Sequence, residues 1–198
     1  MPTLKEVEFY LRGLWLLFKQ DPAGFSYLDL TERGALRSFW SAVWALPAIL
    51  VSFAWWRLLY LQGLPEGTET GALFFFRLTL VEASNWIFPL VLLGVLCLLI
   101  GIGEKFSSMV VVINWLALPI SYSYGLLVLM MMFLPALAGV VALLWLILMV
   151  SVIVALFRII RMIVGEQLLM VSTIVMVLLV PSMIIAELLE QYLGVYPG

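Results

Sequence analysis

The sequence predicts an all-α polytopic integral membrane bundle of about five transmembrane helices, preceded by a cytoplasmic amphipathic helix. Three observations predict it. Apolar residues fill 65% of the 198 positions and charged residues only 11%, with a mean hydropathy of +1.19; soluble domains are about half apolar and about a quarter charged. The apolar residues gather in runs near the ~20 residues that a helix needs to cross ~30 Å of hydrocarbon. The N-terminal stretch is instead amphipathic. A soluble fold of this length has too little interior for so many apolar side chains, so lipid must solvate much of the surface.

The elements follow in order. Residues 4–19 read as an amphipathic helix, with Leu4, Val7, Leu11, Leu14, Trp15 and Phe18 on one stripe and Lys5, Glu8, Arg12 and Lys19 largely off it. That stripe has two readings: immersion in the headgroup zone, or packing on the protein's own bundle. The run from Gln20 through Asp21 and Pro22 to Gly24 stops the helix. Asp29, followed by Glu32, then reads as the N-cap of a helix leading into the first span. The scattered charges of the first twenty residues leave no continuous apolar core for a secretory signal.

The predicted regions are a cytoplasmic or interfacial segment at 1–37, a bundle at 38–187 and a short tail at 188–198. The predicted spans are 38–60, 84–102, 107–132, 137–157 and 167–186. Pro47, Pro119 and Pro181 lie inside spans one, three and five. Span one ends among Trp55, Trp56 and Tyr60, an interfacial aromatic cluster beside Arg57. The stretch from Gln62 to Gly71 is loop-like and holds Glu66 and Glu69 but no Lys or Arg. Residues 73–83 are apolar except for Arg77 and Glu82, and read as an interfacial half-helix or as the wet end of span two. Gly103, Glu104 and Lys105 form a tight charged turn.

Basic residues set the orientation. With the N-terminus in the cytoplasm, Lys5, Arg12, Lys19, Arg33, Arg37, Lys105, Arg158 and Arg161 lie inside, eight of the ten Lys and Arg. Only Arg57 and Arg77 then lie outside, so a bacterial inner membrane protein with its C-terminus in the periplasm is expected.

Two intramembrane segments resemble each other: Asn85 and Trp86 precede Pro89, and Asn114 and Trp115 precede Pro119. A proline frees a carbonyl one turn back, and an Asn amide can satisfy freed backbone groups. Such kinks line pathways in transporters, while Asn also serves as interhelical glue. Ser121 and Ser123, with Tyr122 and Tyr124, follow Pro119 and either line a polar cavity or bond back to carbonyls one turn earlier. Arg77 and Glu82 are spaced poorly for a pair on one helix face. Arg57, Arg77, Arg158 and Arg161 are candidate interface or lipid-headgroup anchors. The three methionines 130–132 form a flexible apolar surface.

The same composition argues against several classes. With no His and a single Cys, Cys97, the sequence offers no metal or haem ligand set and no intrachain disulfide. No cofactor is expected. There is no basic tract for nucleic acid. No His base, Gly-rich phosphate cradle or paired carboxylates within a span appear, so no enzyme activity is expected.

The stretch Leu16, Leu17, Phe18, Lys19, Gln20, Asp21 and Pro22, then a short segment, a Pro-containing first span and five spans with tight turns, resembles the Yip1 family in its bacterial form. The resemblance implies a cytosolic N-terminal segment on a five-helix bundle and no catalytic residues. Eukaryotic members of that family are tied to vesicle trafficking with small GTPases. The expected function is therefore that of a non-catalytic accessory subunit or scaffold of a larger membrane complex, with the bilayer and a membrane-protein partner or second copy as neighbours. The alternatives are a small transporter or channel protomer built on the Asn-Trp…Pro kinks, and a lipid-handling or membrane-shaping protein.

Overall fold

A computed structural model describes residues 1–65 and 70–196. Among them, every regular element is helical: α1 (Leu4–Phe18), α2 (Glu32–Ser38), α3 (Trp40–Gln62), α4 (Ala72–Leu99), α5 (Phe106–Phe133), α6 (Ala138–Val164) and α7 (Leu168–Tyr192). Short 3-10 turns stand at Pro22–Tyr27, Gly103–Lys105 and Pro135–Leu137. Helices α3 to α7 are each long and apolar enough to cross a membrane. The chain is an integral membrane protein with the build of a polytopic helical bundle.

Inside lipid, helices gain no hydrophobic drive from touching one another, so close packing and hydrogen bonds must hold them together. Helix α5 is the hub, packing on α3, α6, α1 and α2, while α7 packs on α4 and α6. The α3–α5 seam shows how. The buried residues of α3 are Ser41, Ala45 and Ala48, small side chains on one helix face. Gly125 of α5 meets that face so closely that an added Cβ would lie 3.3 Å from the Ala48 Cβ. Helices α3, α4, α5 and α7 each keep a proline inside, at Pro47, Pro89, Pro119 and Pro181. Beside the last, the Ser182 hydroxyl donates to the carbonyls of Leu178 and Leu179, one of the ways membrane helices accommodate proline.

Several boundaries differ from the sequence-based expectation. Of the two readings of 73–83, the end of span two holds rather than a separate half-helix: α4 runs unbroken from Ala72 instead of starting at 84. Phe74, Leu78 and Val81 explain why: one helical face buries all three against Tyr60 and Trp56 of α3 and Val195 beyond α7. Helix α6 continues past 157 to Val164 and so contains Arg158 and Arg161; it stops at Gly165, whose φ of 97° is a left-handed conformation that glycine adopts freely. Helix α7 runs past 186 to Tyr192, carrying Glu187 and Glu190 in its last turns. The region expected as a short tail is partly core: Val195 is fully buried, and its carbonyl accepts a 2.8 Å bond from the Trp56 indole. The cap of α2 is Thr31 rather than Asp29. The Asp29 carboxylate accepts the Thr31 amide and hydroxyl, which leaves the Thr31 oxygen to accept the Gly34 amide at 3.1 Å. The expected loop acids Glu66 and Glu69 lie outside the described residues.

Candidate functional site

The region with the densest polar and aromatic construction is the end of the bundle that carries α1. Its helix starts on a reciprocal cap: the Thr3 amide donates to the Glu6 carboxylate at 2.7 Å, and the Glu6 amide donates to the Thr3 hydroxyl at 3.3 Å. The bond from the Thr3 amide, then that from its hydroxyl, holds the Glu6 carboxyl below its ordinary value, with Arg37 assisting. Arg37 of α2 reaches Glu6 at 3.2 Å and ties α2 to α1. After α1 the chain turns back at Asp21, whose carboxylate accepts the Ala23 amide at 2.9 Å. The returning turn lies almost on α1. A Cβ on Gly13 would sit 2.5 Å from the Tyr27 Cβ and 2.8 Å from the Gly24 carbonyl, so only glycine fits there.

The amphipathic stripe of α1 packs on the bundle. Val7, Leu14 and Leu17 are buried, while Trp15 stays 60% exposed. Tyr10 meets Trp115 of α5 at 4.7 Å between ring centroids, and burial pushes its hydroxyl above the ordinary tyrosine range. At the other end of α1, Arg158 of α6 donates to the Phe18 carbonyl at 3.3 Å and lies 5.9 Å from the Phe18 ring. A cation there answers the partial negative charge of a helix C-terminus. Lys19 lies 5.7 Å from the Trp15 ring, and Trp15 stacks on Phe18. Between α1, α5 and α6 these rings wall an apolar groove of about 300 Å³, whose lining includes Leu14, Pro119, Ser123, Ser151 and Ala155.

The sequence-predicted residues are scattered among different settings. Asn114 is buried, and its amide donates to the Ser38 hydroxyl at 2.8 Å. Ser38 in turn donates to the Ala35 carbonyl, so the α2–α3 junction is fastened to α5. Asn85 is half-buried, and its side-chain oxygen is enclosed without a hydrogen-bond partner among the described residues. Beside it on α4, the Glu82 carboxylate faces the Trp86 indole. No ion pair joins Arg77 and Glu82 among the described residues; Arg77 lies against Gly194 instead. Ser121 is half-buried, whereas Ser123 opens onto the groove under α1. The Tyr122 hydroxyl donates to the Trp44 carbonyl at 3.0 Å.

The arginines divide between the two ends. Arg57 donates to the Thr70 hydroxyl, joining the end of α3 to the chain two residues before α4. Arg158 holds α1, and Arg161 pairs with Glu166 at 2.8 Å. Cys97 is a buried free thiol within the core. Sequence reasoning missed the groove, the Gly13–Gly24 contact and the Ser38 acceptor. Gly13 inside an otherwise good helix pattern was a usable signal, since such a glycine commonly marks close packing; a groove shared by three distant segments has no local signature.

No family model matches the chain, and no curated protein or solved structure matches it.

Proposed function

We propose that the chain is a non-catalytic membrane protein that serves as an accessory subunit or scaffold of a larger membrane complex. The observation that supports this reading is the use of the polar groups within the spans. Asn114 is bonded to Ser38, Tyr122 to the Trp44 carbonyl, and Trp56 to the Val195 carbonyl. Ser52, Thr79, Ser151 and Thr173 bond back to carbonyls one turn earlier. Groups engaged in this way close a bundle and are not presented to a passing solute. The half of α6 farthest from α1 favours a neighbour. Leu143 to Ile147 are exposed in unbroken succession, which at ~3.6 residues per turn leaves more than one turn of that helix open beyond buried Val141.

The placement proposed is the inner membrane of a bacterium, with α1 in the cytoplasm and the end of α7 in the periplasm. Eight of the ten Lys and Arg lie at the α1 end or in the turns on that side. The Yip1-like layout, carried by residues 16–22 and the five spans, accords with a protein that gathers neighbours. A second reading, a small transporter, draws on the Asn85 oxygen and the Glu82 carboxylate of α4.

Extraction of the tagged protein into polymer nanodiscs, with sizing and mass spectrometry of its companions, tests the proposal. A partner chain in fixed stoichiometry is expected. A lone monomer or a homo-oligomer would overturn it.

A further inference from the structure

We propose that the groove between α1, α5 and α6 is a binding site for one acyl chain of an anionic phospholipid, whose phosphate is held by Lys19 and Arg158. This inference is independent of the scaffold reading; it needs only the membrane fold.

The first support is the groove's shape and depth. At about 300 Å³ it is walled by Leu14, Trp15 and Phe18 of α1, Ile120 of α5, and Leu148 and Ala155 of α6, and small-ligand pockets run to ~300–1,000 Å³. From Ala155 up to Leu148, the α6 wall of the groove climbs seven residues, a rise of about 10 Å at ~1.5 Å per residue. That equals about a third of the ~30 Å hydrocarbon core. The groove thus runs from beside α1 through most of one leaflet's depth, the course of a single acyl chain.

The second support is the charge at its mouth. Lys19 and Arg158 lie over Trp15 and Phe18, the two stacked rings that wall the groove. Four cations at this end are matched with acids: Arg12 with Glu8, Arg37 with Glu6, Lys105 with Glu104, and Arg161 with Glu166. Among the described residues, Lys5, Lys19, Arg33 and Arg158 are in no ion pair, and of these Lys19 and Arg158 are the two that lie over the rings walling the groove. Two cations without acidic partners at the headgroup end of an apolar slot complement a phosphate with an acyl tail. A zwitterionic headgroup, carrying its own cation, complements them less well.

The test is native mass spectrometry of the full chain, delipidated in mild detergent and titrated with phosphatidylglycerol, phosphatidylcholine or soluble glycerol phosphate. Lys19→Glu reverses the charge at the mouth, and Ser151→Phe fills the slot. Both variants are first matched to wild type in helicity and monodispersity. The expected result is one phosphatidylglycerol retained per chain, at least tenfold more tightly than phosphatidylcholine, with each variant weakening it at least tenfold. Glycerol phosphate should not compete. The proposal is overturned if neither variant weakens retention. It is also overturned if phosphatidylcholine binds as well, or if glycerol phosphate competes on equal terms, because the ligand would then be a tail alone or a free phosphate.

Discussion

Thr3 and Glu6 cap α1 reciprocally, and the cap carries a pH signature. The Glu6 carboxyl sits below its ordinary value of 4.5, chiefly because the Thr3 amide donates to its charged form. A carboxyl lowered on folding contributes stability that is fully present above its unfolded value and is lost as the pH falls through the lowered one. Thr3→Val should therefore move the Glu6 titration, followed by NMR, part of the way back toward 4.5; the amide bond that remains keeps it from returning fully. An unmoved titration would contradict the cap. Asn114 and Ser38 permit a sharper test, because the two halves of their bond are not equivalent. Ser38→Ala leaves a buried amide without its acceptor, at a cost of about 1–3 kcal/mol. Asn114→Leu removes the amide outright, while the Ser38 hydroxyl still donates to Ala35. Unfolding in mixed micelles should rank Ser38→Ala as the more damaging. Asn114 was visible in the sequence as a polar residue within a span. Its partner was not, because Ser38 lies 76 positions away and nothing local announces the meeting.

At the scale of elements, the spans were legible wherever lipid alone decides the pattern. Helix α5 runs Phe106–Phe133, close to the 107–132 read from apolar length. Reading fell short where tertiary contacts extend a helix through polar residues. Arg77 and Glu82 left 73–83 open between a half-helix and the end of span two; the Phe74, Leu78 and Val81 face keeps α4 helical through them. The stripe of α1 was legible, whereas its destination required the facing surfaces of α5 and α6. The contact between α1 and its returning turn depends on Gly13, so Gly13→Val should force the two apart. Overpacking of this kind costs about 1–3 kcal/mol. A cysteine placed at Leu17, fully buried in the wild-type protein, should then react severalfold faster with a polar thiol reagent. An unchanged rate would show that α1 docks without that close approach.

For the whole molecule, composition settled the solvent before any element was placed, because 11% charge cannot coat a soluble surface of this size. The account rests on a five-span bundle whose ends face opposite compartments and whose two intramembrane Asn side chains are enclosed within it, Asn114 bonded to Ser38 and Asn85 with its oxygen unpartnered among the described residues. Cysteine accessibility in intact and permeabilised cells tests this most directly, using a Cys97→Ala background and single cysteines at Ser26, Glu104, Glu166, Tyr196, Asn85 and Asn114. The account predicts that a membrane-impermeant reagent labels Tyr196 in intact cells, labels Ser26, Glu104 and Glu166 only after permeabilisation, and labels Asn85 and Asn114 in neither. Labelling of Tyr196 and Ser26 from the same side, or of Asn85 and Asn114 from either, would contradict it.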